Sequence, residues 1–326
     1  MRYATVDGVS KPVSRVVLGT MIINTSEREK SFALLDAALE QGCTTLDMAH
    51  VYGGGGTERC VGEWVEARGV REKMVLLTKG CHANQDRTRV TPWDIASDLH
   101  DSLARLKTTY VDIYLLHRDD ESVPVGPIVE ALNEQHRAGR IRAFGGSNWK
   151  HERIQAANDY AKAKGLRPFT ASSPNFGLAE QVKDPWGPGC VTISGPQQTT
   201  ARTWYRTAKM PVFAYSSLAR GLFSGRISRA TWDSTKTLLD EAATTAYAHA
   251  CNFDRLDRLH QLARERGVSV PQLAVAWIMN QPLDVYALVG AANRDELAST
   301  IAGTELALTP GECDWLDLRA ERAQQA

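Results

Sequence analysis

The chain has 326 residues, 43% of them hydrophobic, and its 38 basic side chains balance its 38 acidic ones. That balance leaves no electrostatic footprint for a nucleic-acid or membrane-surface partner. No apolar run approaches the roughly 20 residues of a membrane-spanning helix, and "MRYATVDGVSKPVSR" lacks the apolar stretch of a secretory signal, so a cytoplasmic location is expected.

In chain order, short apolar or β-branched runs alternate with longer segments of helical period. The expected strands are "RVVLGT" (15–20), "TTLD" (44–47), "MVLLTK" (74–79), "VDIYLLH" (111–117), "IRAFGGS" (141–147), "PFTASS" (168–173), "PVFAYSS" (211–217) and "VYALVG" (285–290). Between them lie stretches such as "SFALLDAALEQG", and Gly42, Gly139 and Gly165 fall where left-handed caps would end helices. Eight strand–helix repeats imply parallel pairing and are enough to close a (β/α)₈ TIM barrel. The competing doubly wound sheet lacks a G-x-G-x-x-G loop after its first strand, and no linker divides the chain. One α/β barrel domain over 1–326 is therefore expected. The segments 177–208 and 226–250 exceed a simple connection and read as long binding loops. Six scattered cysteines without a C-x-x-C point to reduced thiols, and no His/Cys spacing suggests a metal site.

Barrels of this kind gather function at the C-terminal ends of their strands. Asp47 closes the second run, Lys79 the third and His117 the fourth, while Tyr52 stands in the loop after the second, ahead of "GGGG". Singly, each has an ordinary reading: a turn cap, a strand-end lysine, a core histidine. Their shared address points to chemistry. A phenol titrates near pH 10; burial raises that value and an adjacent ammonium lowers it. The expectation is that Lys79 outweighs burial and acidifies Tyr52, with Asp47 holding the ammonium in place. His117 would donate to a substrate carbonyl oxygen. Such a set suits carbonyl reduction but contains no hydride source, so a cofactor is required.

Five ordered segments resemble the aldo-keto reductase family over nearly the whole chain: "LDMAHVYGGGGTE" (D-x-A-x-x-Y-G), "LLTKG", "DIYLLHR", "GGSNW" (145–149) and "YSSLARGLFSG" (215–225). The resemblance implies NAD(P)H-dependent reduction of a small aldehyde or ketone, a sugar-derived one among the candidates, with Tyr52 as general acid and Asp47, Lys79 and His117 completing a tetrad. It places Thr20, Met21 and Asp47 at the nicotinamide end and Ser147 and Asn148 at the carboxamide. Phe176 would stack on the ring, and Ser173 stands where the family has glutamine. Tyr215, Ser216, Ser217, Leu218, Ala219, Arg220 and Gly221 would wrap the pyrophosphate through backbone N–H groups, with Arg226 reaching the phosphate region.

At the adenosine end, "VGAANRDELAST" supplies Gly290, Ala292, Asn293 and Glu296. Either Arg226 or Arg294 could take a 2′-phosphate, or Glu296 a free ribose hydroxyl; the resemblance favours NADPH and leaves NADH open. Met21, Ile22, Trp186 and the 177–208 loop are candidate substrate walls, although Trp186 could equally plug a satellite core. Arg118, Asp119 and Asp120 read either as solvated rim or as contacts for a hydroxylated substrate. The short stretch "PGECDWLDLRAERAQQA" after the last repeat suggests an open site. A rival reading is a nucleotide-binding redox sensor resembling potassium channel β subunits, weakened by the lack of a partner-binding extension before the first strand.

Overall fold

The computed structural model describes residues 1–321; the end of "PGECDWLDLRAERAQQA", at 322–326, lies outside them. Two short strands, β1 (Tyr3–Ala4) and β2 (Val13–Ser14), pair antiparallel. Eight parallel strands then close a barrel: β3 (Val16–Gly19), β4 (Thr45–Asp47), β5 (Val75–Gly80), β6 (Val111–Leu116), β7 (Ile141–Ser147), β8 (Ala171–Ser173), β9 (Val212–Ala214) and β10 (Val285–Val289). Closure is made by β10, which pairs with β9 on one side and β3 on the other, Leu288 opposite Val17. The expected (β/α)₈ barrel is therefore observed, and all eight expected strands are in it.

Strands covered on both faces must be apolar nearly throughout, which is why these runs stood out in the sequence. Side chains alternate with period two. On β5, Val75 and Leu77 point into the barrel while Leu76 meets the surrounding helices. Ile113 and Leu115 on β6, Ala143 on β7, Phe213 on β9 and Tyr286 on β10 fill the same interior. Val6, Val9 and Val13 join that inner cluster, so the hairpin β1–β2 forms a floor under the N-terminal end. This floor was not expected, because two-residue strands leave no periodic signature.

The alternation also dictates what lies at the top. The next inward position after Leu77 is Lys79, after Leu115 it is His117, and after Phe213 it is Tyr215. Asp47, Ser147 and Ser173 are the last residues of β4, β7 and β8. One period of two thus carries an apolar core into a polar top layer.

The two long connections are not irregular throughout, which corrects the loop expectation. The helix Thr199–Ala208 lies within 177–208, and Trp232–Thr235 and Glu241–Tyr247 lie within 226–250. Buried Tyr205 gives the first a face to pack, and Ala243, Ala246 and Tyr247 give one to the last. All six cysteines are unpaired. Among the described residues no helix is long and apolar enough to cross a membrane, and no His/Cys/Asp/Glu group could hold a metal.

Candidate active site

Asp47 and Lys79 are inward neighbours on adjacent strands, and their side chains meet with Nζ 2.5 Å from Oδ1. Both are almost fully buried. Lys79 also donates to the Met48 carbonyl at 3.0 Å. A primary ammonium has three donors, and the remaining direction faces Tyr52, whose ring centroid lies 5.4 Å from Nζ. Tyr52 opens a tight left-handed turn, Tyr52–Gly55, and its ring meets the edge of His117 at 5.8 Å between centroids. The four residues expected to act together are together. A buried charge pair forms the lower tier, and a half-buried phenol and imidazole form the upper one.

The electrostatics depart from expectation at one point. Burial raises the Tyr52 phenol above its ordinary value, and the opposing pull of the Lys79 ammonium does not overcome it. The expected acidification is corrected: Asp47 lies against the ammonium and itself pushes the phenol upward. At Lys79, burial works downward, yet the facing Asp47 and Tyr52 oxygens outweigh it and hold the proton on nitrogen. Burial also raises the Asp47 carboxyl despite the ammonium. His117 is driven well below the usual histidine range, first by burial and then by Lys79, His82 and Arg118, so its imidazole is neutral near pH 7. Its Nδ1 is buried without a partner among the described residues. The sequence reading passed over His82, whose ring stands 4.8 Å from that of His117; its place three residues after Lys79 was the available signal.

Thr20 is buried and donates to the Asp47 carbonyl at 2.7 Å, while Met21 beside it is exposed. Ser147 donates to the Ser173 carbonyl at 3.0 Å, and Asn148, at φ 57°, takes a 2.8 Å hydrogen bond from the Tyr215 hydroxyl. The Ser173 hydroxyl donates to the Phe213 carbonyl, so its proton is already committed. Phe176 is fully buried with its ring 5.6 Å from Trp277, inside the layer between strands and helices. That position corrects the stacking expectation, since a buried ring offers no face to a ligand. The inward-directed aromatic of the top layer is Tyr215, partly exposed and 6.1 Å from Trp186.

After β9 the backbone repeatedly enters the left-handed region, with φ of 59° at Ser216, 50° at Ala219, 51° at Arg220 and 108° at Gly221; Ser217 and Leu218 lie between them. Arg220 pairs with Asp240 and lies over the Trp186 ring at 4.9 Å. Arg226 is exposed, whereas Arg294 pairs with Glu40. Gly290 has open space beside it. Asn293 caps the helix Arg294–Gly303, and the Glu296 carboxylate accepts from the Ala292 N–H at 2.8 Å.

The rim residues offered for a hydroxylated substrate are engaged elsewhere. Asp119 is bound by Arg153 at 3.0 Å, Asp120 accepts from Thr88 and Ser122, and Arg118 donates to the Gly189 carbonyl. Exposed apolar side chains stand on segments that follow the strand ends instead. Of the eight large ones exposed among the described residues, only Tyr3 lies at the floor. Met21, Ile22, Val51, Val182 and Trp186 sit on connections that follow strand C-termini, Trp93 in the first turn of the helix Pro92–Arg105, and Leu238 in a short 3₁₀ turn after β9.

A charge pair is thus buried beneath a phenol and a neutral imidazole at the mouth of a closed parallel barrel. Residues 15–318 match the model of the aldo/keto reductase family, and the chain belongs to that family. Similar proteins include aldo-keto reductase YhdN of Bacillus subtilis, 28% identical, the match covering 91% of this chain and 87% of that one. Versiconal hemiacetal acetate reductase of Aspergillus parasiticus is 26% identical over 97% and 96% of the two chains. An NADP(+) aryl-alcohol dehydrogenase of Phanerodontia chrysosporium is 25% identical over 95% and 83%.

Proposed function

We propose that the protein reduces an aromatic or otherwise apolar aldehyde or ketone to the alcohol, using NADPH, with Tyr52 as proton donor. The observation that carries this reading is the Asp47–Lys79 pair buried directly beside the Tyr52 phenol. A nicotinamide nucleotide fits the residues present at its phosphate end, because left-handed positions at Ser216 and over 219–221 turn the backbone tightly, in a segment of the kind whose N–H groups take anions. Ser217, Leu218 and Arg220 belong to that segment, Tyr215 offers the aromatic face, and exposed Arg226 rather than paired Arg294 is the candidate for a 2′-phosphate. When bound, the nucleotide supplies the hydride that no side chain can provide.

The side chains do the rest. Neutral His117 donates to the substrate oxygen and orients the carbonyl. Tyr52 keeps its proton at neutral pH, because its pKa is raised, and hands it to the alkoxide as charge develops there. An alkoxide is a stronger base than a phenolate, so a raised phenol pKa does not obstruct this direction. Lys79 then faces the phenolate that remains, and Asp47 holds Lys79 in place. The substrate preference rests on the exposed apolar side chains after the strand ends and on the internal commitments of Asp119 and Asp120. A panel of benzaldehydes against sugar aldehydes should show higher kcat/KM for the benzaldehydes.

Tyr52→Phe is the direct test. It should leave the NADPH dissociation constant, read by tryptophan fluorescence, unchanged, and lower kcat by about 10²- to 10⁴-fold, the usual range for a lost acid. Reduction at the wild-type rate in that variant would refute Tyr52 as the donor.

A further inference from the structure

Tyr52 is followed by four successive glycines, and the first three have φ of 56°, 59° and 86°. Glycine adopts these angles without strain, but it contributes no side chain that could pack and hold the turn. The loop's position must be set from outside. Helix Pro92–Arg105 ends in a residue placed to do so. Arg105 donates from Nη1 to the His50 carbonyl at 2.9 Å, two residues before Tyr52, and from the same nitrogen to Glu58 Oε2 at 3.1 Å. Its guanidinium also lies against Gly55, three residues after Tyr52: a Cβ there would come within 2.6 Å of the Arg105 Cζ. Arg105 thus touches the loop on both flanks of the phenol.

Glu58 connects this contact to the ammonium side. It is fully buried, and its other oxygen accepts from Thr78 Oγ1 at 2.6 Å. Thr78 is the outward neighbour of Lys79 on β5. The His50 N–H in turn donates to the Lys79 carbonyl at 2.8 Å. One carboxylate therefore ties the strand that carries Lys79 to the guanidinium that holds the Tyr52 loop. Close helix contact keeps the assembly in register, since a Cβ on Gly62 would come within 2.3 Å of the Arg105 carbonyl oxygen.

We propose that Arg105, braced by Glu58, is a positioning residue that fixes the Tyr52 phenol against Lys79. The proposal rests on Tyr52 being the proton donor. Neither Arg105 nor Glu58 faces the mouth, so both act through the loop and not on substrate. A small displacement of an acid is costly in rate: about 1 Å can lower it about 100-fold.

The test compares Arg105→Met and Arg105→Lys with wild type and with Tyr52→Phe, using NADPH and benzaldehyde. Three readings are taken: kcat, the NADPH dissociation constant and the melting temperature. Arg105→Met should lower kcat by about 100-fold while NADPH binding stays at the wild-type value, and Arg105→Lys should recover part of the rate. If Arg105→Met does not fold, Arg105→Lys decides: a reduced kcat with intact NADPH binding supports the brace, and an unchanged kcat overturns it. A loss of kcat matched by an equal loss of NADPH binding would show a merely structural role and also overturn it. Wild-type rates in Tyr52→Phe would instead remove the proton-donor reading on which the brace depends.

Discussion

On the β4–β6 side of the barrel mouth, Asp47, Lys79 and Glu58 are buried and meet their partners inside the protein. On the β8–β9 side, the charged contact between the loops is Arg220 with Asp240 and Trp186, where Asp240 is 56% and Trp186 43% exposed. The first side is assembled before any ligand arrives. The second has neutral hydrogen bonds inside, such as Asn175 to Tyr247, and an outer ion pair whose loss leaves no bare charge in the interior. The contrast separates the part of the site that sets chemistry from the part that can yield to admit a large ligand.

The largest expected effect lies on the buried side. Lys79→Met leaves the Asp47 carboxylate without its partner and should cost about 3–5 kcal/mol, as breaking one half of a buried pair does, read by urea denaturation. The Asp47→Leu, Lys79→Met double variant should lose much less, since neither charge remains. Equal losses in the two variants would mean that the pair is not the buried unit described.

A smaller effect concerns acid. His117 in the folded protein titrates well below 6.5, so the unfolded chain binds a proton that the folded one refuses. Stability is unaffected at pH 8 and falls as pH drops below the unfolded value, by up to about 1.4 kcal/mol per pH unit. Melting temperatures from pH 7.5 to 5 should show that decline, and His117→Asn should flatten it. A profile with the same slope in both proteins would assign the acid sensitivity elsewhere.

The smallest effect on stability belongs to the exposed side. Arg220→Ala should change unfolding by less than about 1 kcal/mol yet weaken NADPH binding, read by fluorescence titration. A large stability loss there would erase the contrast between the two sides.

Much of this was legible in the sequence because barrel strands are buried on both faces and cannot hide their apolar runs. The tetrad was legible for a related reason: Lys79 and His117 continue the inward alternation of Leu77 and Leu115, so polar residues ending apolar runs mark the mouth. Phe176 was misread because its stacking role came from the resemblance alone, and beyond the end of β8 no alternation says which way a ring points. The direction of the Tyr52 shift was misread because it depends on how far burial exceeds one ammonium that is already paired, and only coordinates give that balance. Arg105 and Glu58 stand on different helices, and nothing in either local pattern announces the other.

The neighbours of β3 have a consequence for how the chain comes to be folded. One edge of that strand is satisfied early, by β4, but the other waits for Ala287, Leu288 and Val289, almost the whole length of the chain later. During synthesis Val16–Gly19 therefore present an unpaired, apolar edge until the last strand emerges, the condition under which nascent chains stick to one another. The ring cannot be completed in parts; its first strand is finished only by its last.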